Sequence, residues 1–147
     1  MKHPRTLKLI KNYIPKQSMN DEIELYPNGV FKFFISKMIE DIENGNFKPA
    51  MERIDIDKWR KTHTTSSRLD MEHLQSVNSK KPIIQAEIRI GRFEIIDGNH
   101  RFQKAYRDGK KTINSYKIYG EALVPYFYDQ KGYESFVKYW NSKLEDL

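Results

Sequence analysis

The segment from Ile83 to Gly109 constrains the fold more than any other part of this chain. Ile84, Ala86, Ile88 and Ile90 alternate strictly with polar residues. That period of two belongs to a strand with one face on a core. Gly91-Arg92 can turn, and Phe93 to Ile96 returns as an antiparallel partner. The return strand ends in Asp97-Gly98 and hands over to a helix read from Phe102 to Arg107, which closes at Gly109.

A strand that passes through Asp-Gly into a helix leaves backbone N–H groups at the helix start, with the helix dipole behind them. Such a start is an anion site in waiting. His100 adds a titratable ring and Arg101 a fixed cation, and Lys104 lies on the same helix. A polar cap with two surface bases fits these residues as well. Asp97 has two readings that do not exclude each other. Close to a helix start and two cations it tends to stay ionised, ready to accept a proton or a metal contact. It can equally cap the helix by accepting backbone N–H bonds.

Elsewhere the pattern predicts mostly helices. Leu7, Ile10 and Ile14 have helical spacing in a basic segment that Pro15 stops. After the turn signal Pro27-Asn28-Gly29, the residues Phe31, Phe34, Ile35, Met38 and Ile42 form one helical stripe, with Gly45 as its C-terminal cap. No residue before Gly45 carries recognisable chemistry. Glu52 to Ile56 reads as a strand, Thr62 to Ser67 as a polar loop with Ser67 and Asp70 in capping-box spacing, and Leu69, His73 and Leu74 as a short helix. Ile113 to Tyr119 is a further strand. Tyr133, Phe136, Val137, Trp140 and Leu144 define a final amphipathic helix.

The chain has 147 residues, few glycines and prolines, and many aromatics, so one ordered domain is expected. The absence of cysteine excludes a disulfide framework, a thiol nucleophile and a thiolate metal site. No run approaches the ~18 apolar residues of a membrane span, and Met1-Lys2-His3-Pro4-Arg5 lacks a signal-peptide core. The expectation is a cytoplasmic protein with no membrane partner. A net charge of +6 suits a polyanionic partner, nucleotide or nucleic acid.

Several further candidates have simpler explanations beside them. Thr64, Thr65, Ser66, Ser67 and Arg68 fit anion binding at a helix start, or ordinary capping. His63 and His73 stand too far from each other and from carboxylates to suggest a metal pair. Glu52, Asp55 and Asp57 fit a magnesium site or a solvated strand edge. Tyr126, Phe127 and Tyr128 fit base stacking or burial after the Pro125 bend.

The order Pro82-Ile83, then Gly98-Asn99-His100-Arg101, Ala105, Gly109 and Ile113 resembles the ParB/sulfiredoxin superfamily over residues 51–119, about half the chain. In sulfiredoxins the turn resembles Gly-Cys-His-Arg. Here Asn99 stands at the cysteine, which removes sulfinic acid reduction. In ParB partition proteins it resembles Gly-Glu-Arg-Arg, with Asn99 and His100 as the departures. Residues 121–147 are too few for the helix-turn-helix domain of those proteins, so a centromere-binding clamp is not expected. The turn is most similar to the Asp-Gly-His-His-Arg of free serine kinases, matched by Asp97, Gly98, His100 and Arg101.

That resemblance implies an α+β fold, a small mixed sheet with packed helices. Residues 1–50 would be a helical N-terminal extension, 51–120 the core, and 121–147 a strand or loop with an amphipathic helix. It implies Asp97 and His100 as catalytic residues, with Gly98, Asn99, His100, Arg101, Ser66, Arg68 and Lys104 around the phosphates of ATP, CTP or a diphosphate, and Mg²⁺ as a possible companion. Nucleotide hydrolysis or phosphoryl transfer is the expected reaction. The alternatives are a ParB-like DNA-binding protein or nuclease, and a non-catalytic module that grips a protein partner through its N- or C-terminal helix.

Overall fold

Strand β4 (Ile83–Arg89) is the centre of the architecture because it is paired on both sides. β5 (Arg92–Asp97) returns antiparallel to it through the turn at Ile90 and Gly91, and β6 (Thr112–Ile118) runs parallel to it. β3 (Ala50–Asp55) adds antiparallel to β6, giving the order β3-β6-β4-β5. The sheet is mixed, and the fold is α+β. The computed structural model describes residues 3–18, 24–28, 31–63 and 81–147.

Alternation in β4 and β5 sends neighbouring isoleucines to opposite faces of the sheet. Ile83 and Ile95 join Ile54, Ile56, Phe102, Ala105 and Ile113 in one cluster. This cluster lies beneath α2 (Ile56–Thr62) and α3 (Asn99–Arg107). Ile84, Ala86, Ile96 and Ile118 join the larger cluster on the other face. That face is covered by α1 (Ile35–Glu43), by the short α4 (Gly120–Leu123), and by α5 (Gln130–Glu145). Tyr133, Phe136, Val137, Trp140 and Leu144 are all buried, so the expected C-terminal stripe is the face that docks. Burying it fully is worth about 1.5–3 kcal/mol per large apolar side chain before entropy is subtracted.

The first 50 residues depart from the expected helical extension. β1 (Leu25–Asn28) and β2 (Phe31–Phe34) form an antiparallel hairpin, and α1 starts only at Ile35. Phe31 and Phe34 are therefore strand residues, as suits aromatic side chains on a paired, half-buried surface. Gly45, at φ +82°, follows the helix as expected.

Residues 3–16 form no helix either. They run as a strap along α5, whose side chains satisfy their backbone. Asn141 Oδ1 accepts from Leu7 N–H at 2.9 Å, the Tyr133 hydroxyl accepts from Ile10 N–H at 2.7 Å, and Trp140 Nε1 donates to Arg5 O at 2.9 Å. A basic stretch this short cannot hold a helix by itself, and Ile14 is exposed. The Arg5 guanidinium clamps the strap by pairing with both Glu87 on β4 and Glu121 on α4. Burial pushes the Glu87 carboxyl up, but Arg5 and the N–H groups of Gly120 and Gly91 hold it below its usual range.

Candidate functional site

Gly98 makes the strand-to-helix handover possible. It is the N-cap of α3 in the left-handed region, at φ +93°. A Cβ there would stand 2.6 Å from Ile83 Cγ2 and 2.8 Å from Arg101 Nη2. Only glycine satisfies both the backbone and the packing. The helix begins at once, with Phe102 N–H donating to Gly98 O at 2.9 Å, three residues earlier than the apolar pattern suggests.

The turn folds Arg101 back over the end of β5. Its Nη2 donates to Asp97 Oδ2 at 2.9 Å and to Pro82 O at 3.2 Å. Both partners of the ion pair are largely buried. Arg101 Nε is buried with no hydrogen-bond partner among the described residues. Gly98, which has no side chain, holds the N-cap position, and Asp97, one residue before it, orients Arg101.

Asp97 and Arg101 form the floor of a cleft of about 290 Å³ between α1 and the end of the sheet. Ile39, Ile42 and Glu43 of α1 make one wall, and Ile84, Tyr116, Lys81 and Pro82 another. Glu24 also lines the cleft. The residue is exposed as a whole, yet its carboxyl bonds to that of Asp97. Burial and the Asp97 carboxylate together push the Glu24 carboxyl above its usual range, against the pull of Arg101.

The expected site residues thus divide. Asp97 and Arg101 line the cleft, and Gly98 shapes it. Asn99 and His100 are exposed on the first turn of α3, outside the cleft lining; Asn99 Nδ2 reaches back to Ile95 O at 3.4 Å. Lys104 is half-buried further along α3 and does not line the cleft either. Ser66, Arg68 and the rest of the Thr64–Ser67 loop, with the short helix at Leu69, His73 and Leu74, lie outside the described residues. Glu24, Glu43, Lys81 and Tyr116 were not legible as site residues. Glu24 and Glu43 line the cleft from the first 45 residues, where the sequence shows no recognisable chemistry.

The weaker candidates have structural roles. Asp55 caps α2 by accepting from Lys58 N–H at 3.1 Å, and Glu52 pairs with Lys117 at 2.7 Å. Among the described residues no group of three or more His, Asp or Glu side chains is placed to hold a metal ion. Tyr126 and Phe127 are buried in the main core, while Tyr128 is exposed. His63 stacks on Trp59 at 3.7 Å. No helix among the described residues is long and apolar enough to cross a membrane. Comparison with known protein families, curated proteins and solved structures finds no match for this chain.

Proposed function

We propose that the cleft binds the phosphate groups of a nucleotide, on a ParB/sulfiredoxin-like fold, and that the protein is a nucleotide-dependent hydrolase or phosphotransferase. The observation that carries this reading is the state of Arg101. Its guanidinium is fixed by Asp97 and Pro82 O at the head of a helix, while Nε keeps an unused donor among the described residues. A pre-oriented arginine at a helix N-terminus suits phosphate oxygens, because the fork and the dipole favour the same charge. Lys81 adds a second cation to the lining.

The rest of the cleft suits the other parts of such a ligand. Tyr116, Ile39, Ile42 and Ile84 offer an apolar and aromatic surface beside a few polar groups, the usual composition of a small-molecule site. In this reading Asp97 accepts a proton from an attacking hydroxyl. Mg²⁺ is held in nucleotide sites by one or two carboxylates together with phosphate oxygens. Glu24 and Asp97, whose carboxyls meet in the cleft, would supply that donor set. The ion would neutralise charge on the phosphates.

A thermal-shift panel of ATP, ADP, CTP and GTP, with and without Mg²⁺, tests the reading. A nucleotide at a hundred times its dissociation constant should stabilise the fold by about 2.7 kcal/mol. No shift with any of them would overturn it.

A further inference from the structure

A second cavity, of about 270 Å³, opens where β4 and β6 begin and α3 ends. It is lined by Arg53, Lys81, Lys110, Thr112 and Asn114, with Ala105 and Ile113 at its back. Arg53 and Asn114 face each other in the β3–β6 register, and Thr112 shares their side of the sheet. Lys110 is set by the turn that closes α3, where Gly109 takes φ +76° and Lys110 N–H donates to Ala105 O at 2.9 Å.

The cations that line this cavity are not among those the fold uses in salt bridges between described residues. Arg5, Lys16, Lys37, Arg92, Arg101, Arg107, Lys117 and Lys143 each pair with a carboxylate. Among the described residues Arg53 and Lys110 form no ion pair and no carboxylate lines the cavity, while Lys81 acts on the Glu24 carboxyl without a salt bridge to it. The acids nearest in sequence to Arg53 and Lys110 are occupied: Glu52 pairs with Lys117 at 2.7 Å, Asp55 caps α2, and Asp108 pairs with Arg107 at 3.3 Å. Three like charges around one space repel, so the fold gains nothing by gathering them. An anion there would relieve the repulsion and meet three charged donors, with the Thr112 hydroxyl and the Asn114 amide as neutral ones.

We propose that this cavity is a second phosphate-binding site, for a phosphate group carried by a second ligand or by a nucleic acid strand. Its volume exceeds a single water's share of about 30 Å³ many times over, which leaves room for a phosphate. Lys81 lines both cavities, so an anion in one lies beside an anion in the other. Arg53 and Lys110 line only the second, and they separate the two sites experimentally.

Calorimetric titration of inorganic phosphate and of a short oligothymidylate into the wild type, Arg53→Ala, Lys110→Ala and Arg101→Ala tests the assignment. Circular dichroism confirms that each variant is folded. Arg53→Ala and Lys110→Ala should each weaken phosphate binding about tenfold, the scale of one charged hydrogen bond, while Arg101→Ala leaves this site intact. If a strand is the source, the oligothymidylate binds, and each lost cation lowers its log–log salt slope by about 0.7. If the source is a small phosphorylated ligand, inorganic phosphate binds and the oligothymidylate does not. Either pattern supports the site. Affinities for both probes that are absent, or unchanged in Arg53→Ala and Lys110→Ala, overturn it whatever Arg101→Ala does to nucleotide binding in the cleft.

Discussion

Asp97 and Arg101 stand four residues apart and meet at 2.9 Å across the glycine that separates strand from helix. The pair is not a helix-surface contact, because Asp97 ends β5 and Arg101 sits in the first turn of α3. The sharp turn at Gly98 brings them together. Each neutralises the other in a place where water is scarce, and the aspartate fixes the direction of the guanidinium. The cleft floor is thus a single unit of strand end, turn and helix start.

Arg101→Ala should weaken nucleotide binding by roughly 1.5–3 kcal/mol, the range of a charged hydrogen-bonding partner. Arg101→Lys should recover only part of the loss, because an ammonium cannot present a planar fork. The alanine variant also leaves Asp97 without its cation and Pro82 O without a donor, so a stability loss of about 1–3 kcal/mol accompanies it. Calorimetric titration beside a urea melt separates the two effects. Unchanged affinity would remove Arg101 from the site.

Gly98→Ala should lower stability by roughly 1–3 kcal/mol and weaken nucleotide binding together. The added methyl meets Ile83 Cγ2 and Arg101 Nη2, so it disturbs the core and displaces the guanidinium at once. Gly91→Ala is the control. Its φ is also positive, at +75°, but nothing stands within 4 Å of an added Cβ. It should cost only the backbone strain, about 1–2 kcal/mol, and leave binding unchanged. Equal effects of the two substitutions on binding would show that the close packing at Gly98 is irrelevant to the site.

The hairpin, the turn and α5 were legible because their signals are local. Ile84, Ala86, Ile88 and Ile90 carry the strand period, Tyr133 to Leu144 the helical one, and Asp97-Gly98 the break between them. The opposite wall of the cleft was not legible. Tyr116 reaches it through parallel pairing with Ile84, and Ile39 and Glu43 through the docking of α1, and neither leaves a mark in the spacing of residues. The strap was misread for a related reason. Leu7, Ile10 and Ile14 imitate a helix, while the residue that anchors the segment is Arg5, whose partners Glu87 and Glu121 lie far along the chain. Asn99 and His100 looked central because they belong to the turn, yet α3 starts so early that both face outward.

The Glu24 carboxyl gives the cleft a pH dependence of known sign. Burial and the Asp97 carboxylate raise it, so the native protein holds this proton more tightly than the unfolded chain does. Its contribution to stability is therefore largest in acid. It declines as pH rises from the ordinary glutamate value of 4.5 through the raised native one. Glu24→Gln keeps the neutral shape at every pH. The variant should lose this decline and become more stable than the wild type above that window. Urea midpoints measured across the acid and neutral range check it. A wild type and variant with parallel pH profiles would show that burial and Asp97 do not raise the Glu24 carboxyl.

Asp97→Asn distinguishes a proton acceptor from a brace. Asparagine Oδ1 can still accept from Arg101 Nη2, so the turn and the direction of the guanidinium should survive with a loss of about 1 kcal/mol. If Asp97 accepts the proton of the attacking hydroxyl or contacts Mg²⁺, turnover disappears in this variant. Nucleotide affinity then stays level or rises, because a negative charge near the phosphates is gone. If Asp97 only braces Arg101, Asp97→Asn keeps most of its activity, and Asp97→Ala loses affinity along with roughly 1–3 kcal/mol of stability. Single-turnover rates, dissociation constants and melting temperatures for the two variants resolve these outcomes. An Asp97→Ala protein that is stable, binds nucleotide and turns it over would exclude both roles. His100, exposed one residue before Arg101, would then be the remaining proton carrier on the turn.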